Sequence, residues 1–70
     1  MNPLLISGFG TSINVDKRKL VINNKTKNEK LEFYPHKIDY DSIVIDGHYG
    51  IVSFEALRWI SKHDISLTLL

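Results

Sequence analysis

The sequence predicts an α+β fold, mainly β: an antiparallel β-meander of about four strands, followed by one βαβ unit with a single helix near residues 54–63. Three observations predict it. Apolar and polar residues alternate with a period of two through much of residues 11–34, the pattern of half-buried strands. Polar stretches break that alternation where hairpin turns belong. From Ser53 onward the apolar spacing switches to that of a helix, and a final apolar run closes the chain. With 70 residues the chain is one small domain, which buries only about 60% of the surface its unfolded form exposes.

Taken in order, Leu4-Leu5-Ile6-Ser7 is a short apolar strand ended by Gly8-Phe9-Gly10, where paired glycines suit a bend or bulge. In "TSINVD" Ile13 and Val15 share one face, with Ser12, Asn14 and Asp16 on the other. Asp16-Lys17-Arg18-Lys19 forms a turn, and "LVIN" returns with Leu20 and Ile22 on one face. "NNKTKNEK" is the next loop. "KLEFY" follows with Leu31 and Phe33 opposite Glu32 and Tyr34, until Pro35 ends the ladder. "SIVID" is apolar throughout its centre, as in a strand covered on both faces, and Gly47 to Gly50 connect it to the helix. Ser53 sits at the N-cap with Glu55 in the first turn.

Projected at about 100° per residue, Phe54, Ala56, Leu57, Trp59 and Ile60 fill a broad arc, leaving Glu55, Arg58 and Lys62 as a narrow polar wedge. The helix is thus expected to be covered over most of its circumference, more than so small a domain supplies. "ISLTLL" is a closing strand with Ile65, Leu67 and Leu69 on one face. No internal repeat, low-complexity stretch or linker is visible.

The chain has no cysteine, which excludes disulfides and thiolate metal sites. Extra stability is therefore expected from association or from a larger parent chain. No segment approaches the roughly 20 apolar residues of a membrane span, and the N-terminus lacks the pattern of a secretory signal; a cytoplasmic protein is the simplest expectation. The net charge of +1 conceals an asymmetry. Residues 1–15 carry no charged side chain, Asp16 to Lys37 carry seven bases against three acids, and the remainder carries two bases against five acids. Lys17, Arg18 and Lys19 at one hairpin tip, and Lys25, Lys27 and Lys30 at the other, are candidate contacts to DNA phosphates. The competing reading is that such charges merely solvate hairpin tips.

Asp46, His48 and Glu55 fall within ten positions and raise a catalytic reading. Their spacing matches no metal signature such as paired histidines four apart on a helix. Asp before Gly is turn chemistry, and Glu in a first helical turn complements the dipole. His63 suits a helix C-terminus, His36 a loop, and Trp59 a core or interface position rather than a base-stacking platform. No catalytic residue and no metal ligand is assigned to this chain.

The opening "LLISGFGTSINVDKRKLVI" resembles the N-terminus of the CRISPR-associated integrase, the endonuclease that inserts spacers into a CRISPR array. The stretch "IDYDSIVIDGHYGIVSFEALRWISKHDISLTLL" is similar to the same domain, with an acidic residue before an apolar strand, then Gly, a turn, a hydrophobic residue before Ser, "EALR", a histidine and a closing strand. This resemblance implies an N-terminal β-rich domain, residues 1–70, cut before its last hairpin and lacking the helical catalytic domain that follows it in the family. It implies a homodimer, a second and smaller CRISPR adaptation protein as partner, and double-stranded DNA bound through the parent protein. A divalent metal, magnesium or manganese, is implied for the parent enzyme and none for this chain. Trp59, Leu69 and Leu70 are the candidate dimer or inter-domain surface. The alternative is a freestanding β-rich interaction or DNA-backbone-binding module with no catalytic parent.

Overall fold

The computed structural model describes residues 2–70. These form β1 (Pro3–Ser7), β2 (Thr11–Asp16), β3 (Lys19–Asn24), β4 (Glu29–Phe33), β5 (Ser42–Asp46), β6 (Gly50–Val52), α1 (Phe54–Lys62) and β7 (Ser66–Leu69). The strands divide into two sheets, one ordered β1-β5-β7 and the other β4-β3-β2-β6. The first is wholly parallel. The second is antiparallel from β4 to β2 and parallel between β2 and β6.

The architecture is thus mainly β with one helix, but not a simple antiparallel meander. The expected meander is confined to β2, β3 and β4, and β1 belongs to the other sheet as the parallel neighbour of β5. Alternation along a strand tells which side chains share a face; it does not tell which strand lies alongside. The parallel pairing of β5 and β7 around α1 is as expected of a βαβ unit. The connector between them, however, contains β6, a three-residue strand recruited by β2.

One register links the two sheets. Pro3 pairs with Ser42 and Ser7 with Asp46, while Thr11 pairs with Gly50 and Ile13 with Val52, a constant offset of 39 residues. β1–β2 and β5–β6 are therefore one parallel ribbon that leaves the first sheet, bends and enters the second. Gly8-Phe9-Gly10 and Gly47-His48-Tyr49 lie in register at the bend. Amide hydrogen bonds from Gly8 to the Asp46 carbonyl (3.2 Å) and from Gly10 to the Tyr49 carbonyl (3.1 Å) carry the pairing through it. Gly8 has φ of +125°, which side-chain-bearing residues rarely adopt. At Gly47 a Cβ would stand 2.2 Å from the Gly8 carbonyl oxygen, so the two backbones approach closely only because no side chain intervenes. The stretches "LISGFGTSI" and "VIDGHYGIV" occupy equivalent places in the ribbon, a likeness too short and too degenerate to read as a repeat.

The core gathers Ile6, Ile13, Leu20, Ile22, Ile43 and Ile45 from the strands, Ala56, Trp59 and Ile60 from α1, and Ile65. Ser53 caps α1, its hydroxyl accepting the Ala56 amide at 3.0 Å. The helix is covered on one side only: Phe54 and Leu57 remain 78% and 41% exposed, against the expectation of cover around most of its circumference. The buried residues of the helix are Ala56, Trp59 and Ile60, which join the core.

Replacing Gly47 by Ala should force the bend apart. We expect a loss of about 1–3 kcal/mol, typical of overpacking without room to relax, seen as a lower urea midpoint at unchanged slope. Leu5→Ala, on an exposed sheet face, should change stability by less than about 0.5 kcal/mol.

Candidate functional site

The hairpin joining β2 to β3 has a two-residue loop, Lys17-Arg18, with φ of +52° and +68°. That is the backbone of a type I′ turn, usually met by Asn-Gly. Its conformation is held from outside: the Trp59 indole N–H donates to the Arg18 carbonyl at 3.0 Å. Trp59 is 8% exposed and belongs to the core, so it presents little surface of its own. His63, the C-cap of α1, stacks on the indole with ring centroids 3.8 Å apart. Its Nδ1 donates to the Trp59 carbonyl at 2.8 Å, since a carbonyl can only accept. His36 lies beside it, ring centroid to ring centroid 4.9 Å.

Around this tip two open hollows of about 340 and 530 Å³ adjoin, sharing Arg18 and Pro35. The first is lined further by Glu55, Arg58, Lys62 and His63, the second by Lys17, Tyr34 and Lys37. The fold thereby collects Lys17, Arg18, Lys37, Arg58 and Lys62 on one side, with Glu55 as an acid lining the first hollow. None of the five cations forms an ion pair with a described residue. Sequence reasoning nominated Lys17 and Arg18 but not Lys37, Arg58 or Lys62. The polar wedge of the helix was visible; that it would stand beside the first hairpin tip was not.

The other nominated bases lie elsewhere. Lys25 and Lys27 occupy the β3–β4 loop at the opposite end of β3, roughly 20 Å away at about 3.3 Å per residue. That loop is tied to the ribbon bend, with the Thr26 hydroxyl donating to the Phe9 carbonyl and accepting its amide (2.9 and 2.6 Å). Lys19 is ion-paired and hydrogen-bonded to Glu32, and Lys30 lies 4.0 Å from the same carboxylate. The Lys19 hydrogen bond and charge hold the Glu32 carboxyl below the usual carboxylate range, while Glu32 raises the Lys19 ammonium. These two bases are therefore partly neutralised within the chain.

Asp46, His48 and Glu55 do not converge. Asp46 ends β5, His48 lines a hollow with Tyr49, Ile51 and Leu69, and Glu55 lines the separate hollow beneath Arg18. Among the described residues no three or more His, Cys, Asp or Glu side chains are grouped to hold a metal ion. The residues present thus do not fit the divalent metal that the resemblance implies for a parent enzyme. No helix among the described residues is long and apolar enough to cross a membrane.

A second surface lies on the parallel sheet. Ile43, Ile45, Leu4 and Leu67 point to the core, so the in-register Leu5, Val44 and Thr68 point away from it. Leu5 is 64% exposed. At the far end of this sheet Leu69 and Leu70 are each 70% exposed, and Leu69 lines a hollow with Tyr49 and Ile51 of the ribbon.

Compared with proteins of known structure, the chain superimposes on part of a casposase bound to integration product, with a TM-score of 0.90 and 36% sequence identity. The match covers all of this chain and 21% of the casposase, so the chain spans about a fifth of that protein. No family model and no curated protein matches. At this identity the likeness is one of sequence as well as fold.

The Lys19–Glu32 pair sets its own test. The folded carboxyl pKa is depressed, so its stabilisation is present above the unfolded value near 4.3 and is lost as pH falls through the lower folded value. Carboxyl-detected NMR titration should place the Glu32 midpoint below the ordinary glutamate range, and Lys19→Ala should return it to that range.

Proposed function

We propose that this chain is the N-terminal β-rich assembly domain of a DNA integrase related to casposases and to the CRISPR-associated integrase. The observation that carries this reading is the casposase match, 36% identity at a TM-score of 0.90 along the whole chain. In this reading strand transfer is performed outside these 70 residues, by a helical domain carrying the divalent metal, magnesium or manganese. This domain contributes shape and contact surfaces. The casposase was observed bound to integration product; double-stranded DNA as a partner of this protein is proposed by that analogy.

The bare face of the parallel sheet supports the assembly role. All-parallel sheets are nearly always covered on both faces, yet among the described residues Leu5 and Thr68 on this face are exposed and Val44 is only half-buried. Free edges at β1 and β7 add unpaired backbone groups. A second copy of the chain is the proposed occupant, with Leu69 and Leu70 at the rim of the contact. A second, smaller adaptation protein belongs to the CRISPR form of the reading.

Sedimentation velocity tests this. The chain should form dimers at tens of micromolar, and Leu5→Lys should yield monomers with an unchanged circular dichroism spectrum. Strictly monomeric behaviour of the parent chain over that range would refute the dimer.

A further inference from the structure

We infer that Lys17, Arg18, Lys37, Arg58 and Lys62 form a single surface that binds the phosphodiester backbone of duplex DNA, and that the β3–β4 loop takes no part in it. The inference rests on the integrase reading for its choice of ligand; the surface itself rests on strain, convergence and charge.

Strain comes first. Lys17 and Arg18 sit in the left-handed region, which L-residues other than Gly, Asn and Asp enter at a steric cost. Asn-Gly would close the same two-residue hairpin without that penalty. Two long cations held there gain no ion pair within the described chain, and both are exposed. Such outliers concentrate where function requires them. The β3–β4 loop is the internal comparison: its left-handed position is Asn28, at φ of +52°, a residue that tolerates the conformation.

Convergence follows from the fold. Three separate segments, the β2–β3 tip, the turn after β4 and the polar wedge of α1, bring their cations around Arg18 and Pro35. The turn after β4 is itself fixed by the Lys37 amide donating to the Tyr34 carbonyl at 3.1 Å. The surface has a boundary. Asp39, Asp41 and Asp64 line the hollow on the other side of Lys62 and His36, so positive charge stops there.

Duplex rather than single-stranded DNA fits the side chains. Single strands bind through exposed aromatic platforms. Here Trp59 is buried beneath His63, and the Tyr34 ring carries the Lys19 ammonium at 5.5 Å. Tyr34 is the one exposed aromatic among the described residues lining the two hollows, at 61%, against five cations, and that balance suits sequence-independent backbone contact.

The test is fluorescence anisotropy of the 70-residue chain with a labelled 20-base-pair duplex of arbitrary sequence, titrated from 25 to 150 mM KCl. Five phosphate contacts predict a slope of log Kobs against log salt near −4.5, about −0.9 per contact. The paired substitution Lys17→Asn/Arg18→Gly should reduce the slope by about 2 and weaken binding at least tenfold at the lowest salt. It should also raise the melting temperature by several degrees, because the turn is relieved of strain. Arg58→Gln/Lys62→Gln should reduce the slope equally at unchanged melting temperature, and Lys25→Gln/Lys27→Gln should leave it as it is. The inference is overturned if the tip variant binds like the parent, if the second-loop variant loses as much, or if a single-stranded 20-mer binds more tightly than the duplex. A chain that dimerises but binds no duplex overturns this inference alone; one that binds duplex as a monomer overturns the assembly reading alone.

Discussion

The close approach of two backbones at Gly8 and Gly47 is the constraint on which the rest of the structure depends. A side chain at Gly47 would collide with the Gly8 carbonyl at 2.2 Å, so the parallel ribbon can bend only where both strands are bare. That bend lets the same two segments serve both sheets. Through it, the isoleucines of β1 and β5 meet those of β2 and β3 in one core, which is how 70 residues without a disulfide or cysteine-bound metal enclose an interior at all. The Thr26 hydroxyl and the Asn24 amide, bonded to Phe9 and Ser7 respectively, brace the bend from the neighbouring hairpin.

The outer surfaces follow from that core. Trp59 is the point of contact between inside and outside. Its ring fills the core, its N–H secures the Arg18 carbonyl, and its own carbonyl accepts from His63. A strained turn at the tip of a hairpin would normally fray; here a buried indole holds it. The charged side of the domain is therefore tied directly to the packed interior. The parallel sheet offers the opposite character on another side, a face without charged side chains among Leu5, Val44 and Thr68.

Much of this was legible in the sequence because local chemistry decided it. Ser53 as N-cap, the helix that follows, the β2–β3–β4 hairpins and the inward faces of Ile13, Leu20 and Ile22 are all consequences of period and turn residues, which act over a few positions. The partner of β1 was not legible. Its apolar run fits a meander as well as a parallel sheet, and only β5, far along the chain, chooses between them. β6 escaped notice because three residues containing a glycine carry no periodicity, and its pairing is imposed by β2. The candidate surface was half legible for the same reason: Lys17 and Arg18 announce themselves as a hairpin tip, whereas Lys37, Arg58 and Lys62 join them only through tertiary packing. Charge counts also do not show that Glu32 engages Lys19 from the neighbouring strand and lies 4.0 Å from Lys30 on its own.

The constant offset within the ribbon has a consequence for the order of folding. The β2–β3–β4 hairpins close short loops, whereas β1 must wait for a partner 39 residues later, and the entropy of closure rises with that separation. Non-local pairing of this kind is slow. During synthesis β1 emerges well before its partner and is thus among the last of these strands to dock, and until β5 arrives Leu4, Leu5 and Ile6 form an unpaired apolar strand open to other chains. The three-stranded sheet then assembles around β5 in a late step, on a hairpin unit already formed.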